Sequence, residues 1–154
     1  MNSLKSISVM WGDVMSVQVK FYDYSAEVKA AIESTALASL EEAAGELESA
    51  VKRNTRVDTG RTKNSWRHSV SGEDGKYEAQ VGSDYENAIW EEFGTGQYAI
   101  KGDGRKGGWY YVDAKGEGHF TYGKRPSRAF QKAYDAMKNK IINMLKSRFK
   151  AGLK

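Results

Sequence analysis

The chain reads as an α+β protein in which a long N-terminal helix and a C-terminal helix pack on a mostly antiparallel β-sheet of about four to six strands. Three observations predict this. Apolar residues recur at steps of three and four through two long segments, 25–54 and 127–150. Short alternating stretches lie between those segments and ahead of the first. The connections between them are built from Gly, Asp, Asn and Ser, with one proline, Pro126, just before the last helix.

At the start, Ile7, Val9 and Trp11 alternate with polar residues, Gly12-Asp13 is a turn dipeptide, and Val17, Val19 and Phe21 alternate again. Residues 1–22 therefore form a hairpin or a pair of edge strands. They serve either as an arm that adds strands to a neighbouring subunit or as an ordinary sheet edge. Ser25, with Asp23 competing, caps a helix running to about Asn54. Its stripe is Val28, Ile32, Thr35, Leu40, Ala43, Leu47, Ala50 and Val51, with most glutamates off it. Such a helix spans about 45 Å, more than a domain of this size needs across its own core. Part of it lines a subunit interface, or all of it packs on the home sheet.

Asp58-Thr59-Gly60-Arg61 ends that helix. Gly60 suits a positive φ, and the Asp58 carboxylate and Thr59 hydroxyl suit backbone N–H groups two or three residues on. Asp-Thr-Gly is also the triplet of aspartic proteases. That chemistry needs an apolar strand before the Asp and a second carboxylate to share a proton, whereas here Asn54-Thr55-Arg56 precede and the cation Arg61 follows. A turn is the better reading. Residues 65–71 and 77–83 then alternate around the four-residue turn Gly72-Glu73-Asp74-Gly75, a hairpin.

Tyr85, Ala88, Ile89 and Phe93 share one face of a short helix, with Glu91 and Glu92 turned outward. It ends in Glu92-Phe93-Gly94-Thr95-Gly96, which lacks the preceding strand and the Lys-Ser/Thr of a phosphate cradle and reads as a sharp turn. Glu92 is expected to pair with Arg61 and lock the two signatures together. Residues 97–108 are too glycine-rich and polar to pin themselves down and read as a flexible loop that orders on a partner. Trp109 to Asp113 and His119 to Tyr122 form a second hairpin, its aromatics serving an interface or filling the core.

The last helix, 127–150, carries Phe130, Tyr134, Met137, Ile141, Leu145 and Phe149 on its apolar stripe and basic residues elsewhere. From Lys124 to Lys154 the net charge is +9 and over the preceding 123 residues it is −5, making +4. That polarity suits an acidic partner, be it DNA, a neighbouring ring or another copy, or else it is a solvated face helped by the helix dipole.

The order Val57-Asp58-Thr59-Gly60-Arg61, Asn64-Ser65-Trp66, Val81-Gly82-Ser83, Tyr85 to Ala88 running into Glu92-Phe93-Gly94-Thr95-Gly96, then Arg125-Pro126 ahead of a helix, resembles the neck or tail-completion proteins of long-tailed bacteriophages. The resemblance spans roughly 25–150. Thr62 stands where that family usually has an apolar residue, and Glu86-Asn87 interrupts its usual Tyr-Ala pair. The resemblance implies a non-catalytic virion protein made in the host cytoplasm and placed at the head-tail interface. It implies a homo-oligomeric ring, hexameric like the tail, between a connector or head-completion protein and the tail terminator or tail tube, with genomic DNA in its channel.

Length bounds the chain to one domain over 1–154. The lack of cysteine excludes disulfides and fits a reducing compartment. No run of about 18 apolar residues and no signal-peptide pattern predicts a soluble, unexported protein with no membrane contact. The two histidines, His68 and His119, have no acidic residue at ligand spacing, so neither a metal nor any other cofactor is expected. The candidate interface or DNA-facing residues are Trp109, Tyr111, Lys124, Arg125, Arg128, Lys138 and Lys146. A second reading makes the chain a nucleic-acid-binding module, with the basic helix on phosphates and Trp109 and Tyr111 stacking on bases.

Overall fold

A computed structural model describes residues 5–9, 17–73 and 75–152, with side chains from residue 22 onward. Trp11 and Gly12-Asp13 lie outside the described residues. On either side, strands β1 (Lys5–Val9) and β2 (Val17–Phe21) pair antiparallel, Ile7 opposite Val19 and Val9 opposite Val17.

Helix α1 (Ser25–Asn54) is the spine of the fold. Its start is satisfied by Asp23 rather than Ser25: Asp23 Oδ1 accepts from the Ser25 N–H at 3.0 Å. Its end is closed by Thr55, whose N–H and hydroxyl both donate to Val51 O, at 2.9 and 2.8 Å. Helix α4 (Ala129–Gly152) begins two residues later than the sequence suggests and runs antiparallel along α1. The pairing is fixed by Asn54 to Ala129 O (3.4 Å), Lys140 to Glu46 (2.8 Å) and Arg148 to Glu42 (2.6 Å), with Gly152 lying against Thr35. Ala36, Ala43, Ala44 and Ala50 of α1 and Ala129 and Ala133 of α4 are buried. Small side chains allow the close axial approach at which packing contacts accumulate.

Strands β3 (Trp66–Glu73) and β4 (Lys76–Ser83) form a hairpin that packs on α1. Trp66, His68 and Val70 alternate toward the helix, as the period of two requires. Pairing continues to Glu73 opposite Lys76, so the connection is two residues, Asp74 and Gly75, and not four. The core forms where these elements meet: Ala50, Val51, Trp66, Ala88 and Ala133, with Leu47, Phe130 and Met137 against them. The Trp66 and Phe130 rings stack at 5.9 Å, and removing Trp66 would cost on the order of 3–5 kcal/mol.

The expected sheet of four to six strands is not present among the described residues. Strands pair only as three separate two-stranded ribbons, the third being β5 (Trp109–Val112) with β6 (Gly118–Thr121). The reason is local. Each strand of four to eight residues meets its partner across its own turn, the pairing with the smallest loop-closure cost. Residues 84–108 then turn through helix α3 (Asn87–Phe93) and the 3₁₀ turn Gly96–Tyr98, and no strand of one ribbon bonds to another. Among the described residues no helix is long and apolar enough to cross a membrane.

Candidate assembly surface

Between α1 and β3 the chain does not pass directly into a strand. Gly60, at φ 81°, opens a one-turn helix α2 (Arg61–Ser65) whose Thr62 is buried. Thr59 Oγ1 accepts a long contact from the Arg61 N–H at 3.5 Å, and Asp58 makes no such bond among the described residues. The exposed Asp58 carboxylate instead lines a polar hollow of about 490 Å³ with Arg56, Arg61, Asn87, Glu91 and Lys124.

The second signature is a backbone crossing. Thr95 N donates to Lys124 O and Gln97 N to Tyr122 O, each at 2.9 Å, while Lys124 N donates to Thr95 Oγ1 at 2.9 Å. Gly96 sits at φ 59°, and a Cβ there would lie 2.1 Å from Tyr122 O, so only glycine fits. Phe93 O accepts from Ile100 N at 3.0 Å, and the Gly104 backbone closes on Gly96, giving the glycine-rich segment definite turns.

Helix α3 keeps only part of the expected polarity, since Ala88 is buried in the core as expected but Ile89, Phe93 and Glu91 are placed the other way. Glu91 is only 7% exposed, while Ile89, Trp90 and Phe93 are 55, 47 and 43% exposed. Glu91 turns inward with Lys124 as counter-charge on one carboxylate oxygen, and the helix is anchored there because the Glu91 backbone carbonyl accepts from the Ser127 N–H at 2.7 Å. Glu92 also turns in, and not toward Arg61. Its two oxygens accept from the Phe130 and Gln131 N–H groups at 2.8 and 3.0 Å, capping the first turn of α4. Arg61 stacks over the Tyr85 ring at 5.3 Å. The apolar face left outside lines an open groove of about 710 Å³ with Ile100, Trp109 and the cations Lys101 and Arg105.

The aromatic ribbon also faces outward. Trp109 is half-buried, whereas Tyr110, Tyr111, Val112, Phe120 and Tyr122 are exposed, against the core-filling alternative. Val28 and Ile32, in the first turns of α1, are exposed as well and edge a separate apolar cleft with Leu145 and Phe149 of α4. A monomer rarely leaves an apolar face such as that of Ile89, Trp90 and Phe93 unpartnered.

The named cations divide into two groups. Lys124 pairs with Glu91, and Arg125 lies 4.7 Å over the Tyr98 ring while its carbonyl accepts from Arg56. Arg128 holds a left-handed φ of 54° just ahead of α4. Lys138 and Lys146 are exposed on α4 and make no ion pair among the described residues. Part of the charge asymmetry is therefore neutralised within the chain, through Glu42, Glu46 and Glu91.

Both histidines do find acidic neighbours: those of His68 come from another element, while those of His119, Asp113 and Glu117, lie within its own hairpin and were open to a closer reading of the spacing. His68 on β3 bonds to Glu48 and, at 3.0 Å, to Glu41 on α1. These carboxylates raise its pKa above the ordinary 6.5, and Lys52, then His68, hold Glu48 below its ordinary value. Across the β5–β6 turn, His119 Nε2 is 3.1 Å from Asp113 Oδ2, with Glu117 adjacent. Asp113 Oδ1 already accepts from the Lys115 and Glu117 N–H groups, which makes this cluster a turn closure.

Residues 20–94 match the HK97-gp10-like family, described as "Bacteriophage HK97-gp10, putative tail-component". The match covers α1, the first signature, the β3–β4 hairpin and α3, and it ends before Arg125-Pro126 and α4. No curated protein and no solved structure matches the chain.

Proposed function

We propose, from the match of residues 20–94 to the HK97-gp10-like family model, that the chain is a structural protein of the phage neck. Copies of it close a ring, six by resemblance to related necks, between the connector or head-completion protein and the tail terminator or tail tube. Its work is binding without chemistry. Surfaces complete only in the ring let a filled head join a finished tail, and the β1–β2 ribbon, which bonds to no other strand among the described residues, offers its edge to a neighbouring subunit.

The observation that carries this reading is the outward apolar face of α3. Ile89, Trp90 and Phe93 face solvent while two carboxylates of the same helix turn inside, an arrangement that burial against another protein makes favourable. In a lysate of a phage lacking this protein, full heads and complete tails should accumulate unjoined, and added purified protein should join them. Joined particles without it would refute the proposal.

A second reading, contact with nucleic acid, rests on Lys132, Lys138, Lys146 and Lys150, exposed on α4 without ion-pair partners among the described residues. A salt-dependent shift of a short duplex, lost on changing Lys138 and Lys146 to Glu, would support it. No shift at low salt would remove it.

A further inference from the structure

We propose that the groove between α3 and the glycine-rich segment receives the exposed first turns of α1 from a second copy of this chain. The proposal rests on the ring reading and names the two surfaces that make the ring.

The groove has an apolar floor of Ile89, Trp90, Phe93 and Ile100. Its rim carries Lys101, 5.4 Å above the Phe93 ring, and Arg105, against the single acid Asp103. The occupant it fits is a helix with apolar residues one turn apart and carboxylates beside them. The start of α1 has this character. Residues 25–32 are all exposed, with Val28 and Ile32 on the edge of an apolar cleft shared with Tyr77 of β4 and Leu145 and Phe149 of α4. Val28 and Ile32 are spaced i, i+4, Glu27 has no ion-pair partner among the described residues, and Glu33 is held only by Lys29 at 3.8 Å. The outer face of α4, by contrast, is lined with lysines that the cationic rim would repel.

These two surfaces cannot meet within one chain. Val51 packs in the core with Ala88 of α3, and Ile32 lies about 29 Å up the helix from Val51 at 1.5 Å per residue. The surfaces are unlike, so each contact leaves one groove and one helix start free. Such a heterologous contact propagates until the ring closes. Trp109 of the aromatic ribbon lines the same groove, so the exposed β5–β6 face extends the contact.

The chain has no cysteine, which gives a clean background for cross-linking. The variant Ile32→Cys/Ile89→Cys, oxidised at high concentration, should give a ladder of covalent oligomers. Each single variant should give none, and a mixture of the two singles should give dimers alone. A wild-type ring by light scattering with no ladder would overturn the pairing and leave the ring reading intact. Dimers from Ile32→Cys alone would overturn it in favour of a symmetric contact. A wild type monomeric at every concentration, and also with the phage's connector, would overturn both. In parallel, Lys101→Glu/Arg105→Glu should weaken self-association at least tenfold, and adding Glu27→Lys/Glu33→Lys to the same chain should restore it. Absence of that rescue, with the fold intact, contradicts the charge pairing.

Discussion

The Asn87 side-chain amide donates to Thr62 Oγ1 at 2.9 Å, joining the start of α3 to the buried face of α2. Thr62 and Asn87 are two of the three residues, with Glu86, at which the resemblance to phage proteins implies a departure, and the fold places these two against each other. A polar residue at a buried site is tolerated because its partner is polar too. Thr62→Val and Asn87→Ala should each lower stability by about 1 kcal/mol, since each strands the other's polar group. A double-mutant cycle by urea unfolding should show a coupling near 1 kcal/mol. Simple additivity would mean that the bond contributes nothing.

Glu92 belongs to α4 in energetic terms, although it lies on α3. Glu92→Ala should cost about 1–2 kcal/mol, because two N–H groups in the first turn of α4 lose a charged acceptor. Arg61→Ala should stay within about 0.5 kcal/mol, and the pair should show no coupling. Coupling between Glu92 and Arg61 in thermal unfolding would restore the link expected from sequence.

Arg128 carries a left-handed backbone, φ 54°, that a side chain makes unfavourable by about 1–2 kcal/mol. Arg128→Gly should raise stability by about 0.5–1 kcal/mol after its own entropic cost, and Arg128→Ala, which keeps the Cβ, should not. Melting temperatures of the two variants decide this. Equal effects would assign the gain to lost charge.

The His68 contacts to Glu48 and Glu41 tie the β3–β4 hairpin to α1. Because the folded pKa of His68 is raised, its contribution is fully present below the ordinary value of 6.5 and is lost as pH rises through the folded value. Glu48 has the opposite sign: its pKa is lowered, so its contribution is present above the ordinary 4.5 and lost as pH falls through the folded value. Denaturation midpoints should therefore decline as pH rises above the ordinary value of 6.5 and through the folded value, and His68→Gln should flatten that decline. An unchanged slope in the variant would place the pH dependence elsewhere.

What sequence made legible was local. The stripe of α1, the alternation of Trp66, His68 and Val70, and the hairpin positions follow from periodicity, which depends on neighbours a few residues away. The polarity of α3 was only partly legible, because the inward turn of Glu91 and Glu92 depends on Lys124 and the start of α4, more than thirty residues on. By period alone, Glu91 belonged outside. The acidic partners of His68 were hidden for the same reason, twenty and twenty-seven residues back on another element. The separation of the strands into three ribbons was not legible either, because alternation identifies strands but says nothing about which ribbons join.

The central claim is that copies of this chain bind one another through unlike surfaces. Its most direct test is the solution mass by light scattering, over a wide concentration range at two salt levels, with and without the phage's connector. A single closed species of fixed copy number, weakened by Trp90→Glu in the α3 face, is the predicted result. A strict monomer under every one of those conditions would contradict the account.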